Sequence, residues 1–326
     1  MNVPPAEAIR VPVDQLRVLS VALFLKAGVS DGDARLITDL LIDTDLRGVL
    51  SHGTRTIGNY VRAFLEGRLN PTPHVSVVRD EPTTAVVDGD GGLGHPAATR
   101  ATEFAIAKAK TIGVGAVIAR NHGHFGSAGK YTRMAIRQDC AGFCVSGHTM
   151  EGFPKDGSYW NPFGNPPMSF AFPAGTEAPM ILDMGTSWFD DKDFASFFAQ
   201  TPAAFFKSIG LVAVANLMAG MMAGMMTSEF RAENRRYESA MFGTFICVLD
   251  IGRFVPVEAF KAEVDRMMRE VHTLPSFPGY SRYDLPGGLE WDREHAWITE
   301  GIPLGRDHQR ELEEIADQVS VPVPWR

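Results

Sequence analysis

Residues 209–226 read IGLVAVANLMAGMMAGMM without a single charged side chain. A run of this length either crosses a bilayer or has to be enclosed by the rest of the chain, and no other stretch constrains the fold as strongly. Asn216 lies in its middle, and neither a Lys/Arg cluster nor an aromatic belt flanks it. Both points favour a buried helix over a membrane span. The pair Gly220 and Gly224, spaced as GxxxG, allows a neighbouring element to approach closely. Leucine at either position is expected to overpack that contact.

Enclosing such a helix takes a large core. With 326 residues the chain can form one large or two modest domains. Its 45% hydrophobic and 21% charged residues are ordinary for a globular protein. The net charge of -8 argues against a nucleic-acid footprint, which needs a basic face. Three cysteines, Cys140, Cys144 and Cys247, sit in apolar, strand-like contexts and read as buried free thiols. The opening MNVPPAEAIRVPVD has no apolar core of a signal peptide, so a cytoplasmic setting is the expectation.

The hydrophobic period divides the rest of the chain. Helical spacing predicts helices over 13–27, with Asp14 as cap, over 30–48, with Ser30 and Asp33 as a capping box, and over 54–69. After the Pro-Thr-Pro at 71–73 the pattern alternates. Strands are expected at 75–78, 84–88, 115–120, AGFCVSG, MSFAFPA, PMILDM and GTFICVLDI. Helices are expected between them at 96–112, 127–138, 205–227 and 257–271, and a last helix at 307–319. This is an α/β centre with helical ends.

Five stretches could carry chemistry. RGVLSHGTRT places His52 at the elbow between two helices, with Arg47 and Arg55 on either side. An imidazole there could deliver a proton near neutral pH, and guanidinium groups could hold a carboxylate. A surface histidine at a helix end with two solvated arginines explains the same residues. RNHGHFGSAGKY sets Asn121, His122 and His124 at the end of a strand, where α/β sheets collect ligands. No acidic or cysteine partner stands at ligand spacing, so no metal is expected. FGNPP at 163–167 and LDMGTS at 182–187 put small polar residues at strand ends, which suits phosphate binding or plain turns. Finally, Gly89, Gly91 and Gly94 spell GxGxxG before a helix. The next strand ends in Arg120 and Asn121 instead of an acidic ribose anchor, so a glycine-rich turn is at least as good a reading, although Arg120 could serve an NADP site.

In this order LRGVLSHGTR, DGDGGLGHPAA, RNHGHFGSAGKY, GNP, LDMGTS, KSIGL, LPG at 285–287 and GIPL at 301–304 resemble the malate/L-lactate dehydrogenase family of the sulfolactate dehydrogenase type, over nearly the whole chain. The resemblance implies an α/β fold of three layers, α/β/α, around a mixed sheet, distinct from the Rossmann fold. Residues 1–73 plus 283–326 would form a helical domain carrying the SHG elbow, and 74–282 a central unit for cofactor binding and dimerisation. It further implies an NAD- or NADP-dependent oxidoreductase acting on a 2-oxo/2-hydroxy acid or a cyclic imino acid as a cytoplasmic homodimer. On this resemblance His52 is the acid, and Arg47, Arg55, Asn121 and His124 belong to the substrate pocket. The cofactor stretch falls on Asp183, Met184, Gly185, Thr186 and Ser187, with Lys207, Gly287 and Gly288. The GxGxxG is not the family's cofactor loop.

The chain also departs from the family. Gly288 follows Pro-Gly where many members carry a polar residue, Ser208 replaces a glycine, and the segment 188–206 is short and rich in aromatic residues. Collapse of that segment onto the cofactor side would weaken dinucleotide binding. A silent relative that keeps the fold and binds a metabolite or partner is therefore the competing reading.

Overall fold

The structure is a computed structural model and describes residues 3–148, 164–189, 194–228, 230 and 236–326. Its strands are β1 (Ala8–Val11), β2 (Ser76–Asp80), β3 (Thr84–Asp88), β4 (Val114–His122), β5 (Cys140–His148), β6 (Pro167–Phe172), β7 (Met180–Gly185), β8 (Phe242–Asp250) and β9 (Ile302–Gly305). Seven of them form one mixed sheet in the order β2-β3-β4-β8-β5-β6-β7. Only β3 and β4 run parallel within it.

Alternation along the strands divides the sheet into two faces. Val117, Ala119, Cys144, Ile246 and Val248 point to one side and meet α4 (Gly94–Ile112) and α5 (Gly129–Ile136). The alanine stripe of α4, Ala97, Ala98, Ala101, Ala105 and Ala109, is wholly buried there and lets the helix lie close to the sheet. Ile118, Val145 and Phe245 point the other way and meet the helix Pro202–Asn216 and the wider π-turn Leu217–Met221 that continues it. Three layers result. Cys140 and Cys144 are buried and Cys247 half-buried, all as free thiols.

A second core draws on both chain ends. Leu16, Leu23 and Phe24 of α1 (Val13–Lys26), Ile37 and Leu41 of α2 (Asp31–Leu46) and Ile57 and Val61 of α3 (Ile57–Leu65) pack with Trp297, Ile302, Leu312 and Ile315. Burying each such side chain contributes about 1.5–3 kcal/mol. Antiparallel pairing of β1 with β9, Val11 opposite Ile302, fastens the two ends. These two strands and the helix Gly288–Glu300 are absent from the sequence expectation. Strands of four residues are too short to show a period, and that helix buries only Gly288 and Trp297.

The helix boundaries show what local chemistry decides. Ser30 Oγ accepts the Asp33 N–H at 3.2 Å and starts α2 as expected. Asp14 does not cap α1: the helix begins after Pro12, and Asp14 is an exposed first-turn acid. The third helix starts later than its pattern suggests, because residues 50–56 form two tight 3-10 turns around Gly53. A buried strut holds this elbow. Asp45 Oδ2 accepts from Thr54 N at 3.0 Å and Thr54 Oγ1 at 2.6 Å, and Thr54 Oγ1 accepts from His308 Nε2 at 3.0 Å. Burial pushes the Asp45 carboxyl up to about 7 against the two Thr54 hydrogen bonds. A Cβ on Gly53 would lie 1.8 Å from Asp45 Oδ1, so only glycine fits beside His52.

Within the single chain the apolar helix is enclosed on one face, and burial of its other face against a second copy is not tested by it. Val212, Ala215 and Ala219 are buried, while Phe206, Leu217, Met221 and Met222 are exposed, and the stretch Pro202–Met221 is long and apolar enough to cross a membrane. Asn216 has a structural task on the buried face: its Oδ1 accepts the His148 N–H at 3.0 Å, and its Nδ2 donates to Val212 O. The two glycines differ. A Cβ on Gly220 would lie 2.6 Å from His148 O, whereas Gly224 has open space and a φ of +73°. Overpacking therefore applies at Gly220, and at Gly224 the constraint is the left-handed backbone.

Two predictions follow from this packing. Gly53→Ala is expected to displace the Asp45 carboxylate and destabilise the fold by about 1–3 kcal/mol, read as a lowered melting temperature; an unchanged melt would remove the close contact. Gly220→Leu should cost a similar amount, while Gly224→Asn, which tolerates the left-handed region, should melt close to the parent. Equal losses in both variants would show that the two sites are not distinguished in this way.

Candidate active site

A cavity of about 760 Å³ opens where the 50–56 elbow meets the ends of β4, β5 and β7. His52 and Ser51 enter it from the elbow, His124 and Phe125 from the loop after β4, and His148 from the end of β5. Asp183, Met184 and Gly185 line it from β7, with Gly287 and Glu290 from the C-terminal part. The Ile181 N–H donates to Pro286 O at 2.9 Å and keeps that last loop against β7.

The histidines differ sharply in their surroundings. His52 Nδ1 lies 2.9 Å from Ser51 Oγ, which leaves Nε2 for a ligand. Burial and then the charge of Lys130 hold its imidazole below the usual histidine value. His124 sits beside it, ring centroids 5.8 Å apart. The Tyr60 hydroxyl is 2.6 Å from His124 Nδ1. Burial holds the Tyr60 phenol protonated; with its O–H given to Nδ1, the proton of neutral His124 sits on Nε2. Burial, followed by the charges of His52 and Lys130, brings His124 down to about 3. His122 spends both nitrogens inside the protein, Nδ1 on Gly123 O at 2.7 Å and Nε2 on Thr244 Oγ1 at 3.1 Å.

Positive charge gathers on one wall. Arg47, Arg133 and Arg137 all line the cavity, and all three approach Asp43. Arg47 is buried and donates to Asp43 Oδ1 and Glu294 Oε2, each at 2.7 Å. Arg133 is buried on the same carboxylate, whereas the Arg137 side chain is 62% exposed and only 3.6 Å from it. Burial works to raise the Asp43 carboxyl, and the charges of Arg133 and Arg47 outweigh it and hold the group low.

Several expected site residues stand elsewhere. Arg55 does not line the cavity; its guanidinium pairs with Glu311 at 3.0 Å. Asn121, at a φ of +54°, donates to Asp88 Oδ1 at 2.9 Å and also lies off the lining. Arg47 is on the wall, with three N–H groups given to Asp43 O, Asp43 Oδ1 and Glu294 Oε2. Of the cofactor stretch, Asp183, Met184, Gly185 and Gly287 reach the cavity. Thr186 Oγ1 donates to Pro166 O, Ser187 N–H donates to Asn165 Oδ1, and Lys207 and Gly288 are outside the lining. Phe163 and residues 190–193 of the short segment lie outside the described residues. Phe189, Phe197, Phe198, Phe205 and Phe206 pack on one another, and none of them lines the cavity.

The glycine-rich turn uses its own donors internally. Gly89, Gly91 and Gly94 donate to Arg120 O, Asn121 O and His124 O at 2.9, 3.0 and 3.0 Å. Arg120 is paired with Asp88 at 3.0 Å. The amides of these glycines and the Arg120 guanidinium are therefore already engaged within the protein. The sequence reading passed over Tyr60, Ser127, Arg133, Arg137, His148 and Glu290. The i, i+4 spacing of Arg133 and Arg137 on α5 was the one available signal among them.

The family described as malate/L-lactate dehydrogenase matches residues 11–194 and 190–313. A malate dehydrogenase of Pyrococcus horikoshii is 31% identical over 96% of both chains, and an L-sulfolactate dehydrogenase of Methanocaldococcus jannaschii 27% identical over 94% of this chain and 96% of its own. The solved malate dehydrogenase structure from Pyrococcus horikoshii superposes with a TM-score of 0.83 at 29% identity, covering 99% of each chain. The chain belongs to the malate/L-lactate dehydrogenase family.

Proposed function

We propose that this chain is an oxidoreductase that uses NAD or NADP to interconvert a small dianionic 2-hydroxy acid and its 2-oxo acid, with His52 as the proton donor. The observation that carries the reading is one cavity lined both by His52 and by the Arg47, Arg133 and Arg137 wall. The relatives named for malate and sulfolactate act on acids with two anionic groups, which such a wall suits. Residues 1–73 plus 283–326 supply the acid, and residues 74–282, joined by Gly287, supply the cofactor side.

A nicotinamide cofactor fits the donor set. Ser127 Oγ and His148 Nδ1 are buried at the cavity without a hydrogen-bond partner among the described residues. Asp183, Met184, Gly185 and Gly287 complete that side. When bound, the reduced cofactor supplies hydride to the carbonyl carbon. His52 Nε2 gives a proton to the carbonyl oxygen as charge develops there, and His124 Nε2–H steadies the same oxygen. Arg137, with the most exposed guanidinium, holds the substrate carboxylate and fixes the approach of the carbonyl. Phe189, Phe197, Phe198, Phe205 and Phe206 pack on one another and do not line the cavity, which favours an active enzyme over a silent relative. A cytoplasmic homodimer would cover the open face at Phe206, Leu217 and Met221.

Assay of a panel of 2-oxo and cyclic imino acids with NADH and NADPH tests the substrate class; turnover confined to imino acids would overturn it. His52→Ala is expected to lower kcat for reduction by about a hundredfold to ten-thousandfold with little change in cofactor affinity, and parental turnover would remove His52 from the reaction. The pH dependence has a definite sign. Reduction needs the imidazolium, whose pKa lies below 6.5, so kcat/KM for reduction should climb as pH falls through that region; oxidation needs neutral His52 and should be level above it. Calorimetric titration with each dinucleotide should show binding, and no binding of either would favour the silent relative.

A further inference from the structure

Lys130 is the most fully enclosed cation of the chain's described residues, 2% exposed on α5, and it does not line the cavity. A lysine in such a place is ordinarily paired with a carboxylate. Here its Nζ lies 3.2 Å from the Nε2 of His95, itself completely buried. His95 presents its ring edge-on to Tyr60, centroids 5.8 Å apart at 71°. Tyr60 holds His124, and His124 stands beside His52. A continuous chain of rings thus joins the buried ammonium to the cavity. An apolar side chain of the same length would fill the position at less cost, so the charge itself calls for an explanation.

We propose that Lys130 is a positioning residue for the proton donor: behind the His95, Tyr60 and His124 chain it keeps a positive charge that confines the mobile proton of the site to His52. This rests on the reading of His52 given above. Other charged groups face the ammonium: Asp43 and Asp45 from α2, Asp183 from β7 and Arg133 from its own helix. They leave Lys130 at about 7, burial lowering it and Asp43 foremost among the acids opposing. Below 6.5, where His52 takes up its proton, Lys130 is therefore mostly charged. In that window a second cation is opposed on His95 by burial first and Lys130 next, and on His124 by burial, then the charge of His52, then that of Lys130. His52, at the cavity and less enclosed, is left as the group that gains and gives up the proton.

Lys130→Met and Lys130→Gln remove the charge, and Gln keeps an N–H for His95. In both, the alkaline limb of kcat/KM for reduction is expected to move up by about half a pH unit or more, and Lys130→Arg should return it to the parental position or below. The His52 ring signal, followed by NMR titration without substrate and assigned with His52→Ala, should move the same way. A limb and a His52 titration that stay in place in both neutral variants, while their melting temperatures fall, would make Lys130 a packing residue and overturn the proposal. Parental turnover in His52→Ala would overturn the reading of His52 instead; the NMR titration is independent of activity and separates the two failures.

Discussion

The arrangement of this molecule depends on the carboxylate of Asp43. Three guanidinium groups from two parts of the chain converge on it: Arg47 at the end of its own helix, and Arg133 and Arg137 from the helix that covers the sheet. Arg47 reaches on to Glu294 in the C-terminal part. One mostly buried anion thus fastens the helical ends to the sheet along a wall of the cavity. Removing one partner from such a cluster typically costs about 3–5 kcal/mol, because the remaining charge is left without compensation. The cluster is better understood as fixing geometry than as adding net stability. It also leaves more cations than acids immediately around Asp43, which is the property an acid-binding cavity needs.

Asp45, two residues further along α2, does the complementary task. Positions i and i+2 on a helix point in nearly opposite directions. Asp43 accordingly meets the arginines of the sheet unit, while Asp45 turns toward Thr54 and His308 and holds the elbow. The final turn of α2 therefore sets both the arginine wall and the position of His52. Burial then sorts the histidines. His122 and His124 fall to about 4 and about 3, so the neutral forms of these rings act as fixed donors and acceptors. On the function proposed, proton exchange falls to His52.

Much of this was legible in the sequence where one residue type has one physical use. The alternation of strand and helix, the Ser30 cap and the elbow at His52 followed from period and turn chemistry. Placement of the arginines did not. Arg47 and Arg55 both flank His52 in the chain, yet the two tight turns direct Arg55 to Glu311 and leave Arg47 on the wall. Linear spacing says nothing about which acid from residues 294 or 311 will take a guanidinium. The apolar run at 209–226 was similarly ambiguous, since composition gives the total to be buried and not which face the single chain covers. β1 and β9 were invisible because each is stabilised by the other across almost the whole sequence.

The GxGxxG stretch shows why a motif has to be judged by what its donors do. In a dinucleotide fold its physical content is a set of free N–H groups at a helix N-terminus. Here those groups are spent on the carbonyls of the 120–124 loop, and Gly123 returns the favour by donating to Gly92 O at 2.7 Å. The Gly94 N–H to His124 O bond ends the series. The glycines are needed because two stretches of backbone run in contact, and that contact fixes the loop from which His124 faces His52. Asp88 secures the same loop from its other end through Arg120 and Asn121. The sequence feature that most resembles a cofactor site is therefore the scaffold for the loop that carries the second histidine of the cavity.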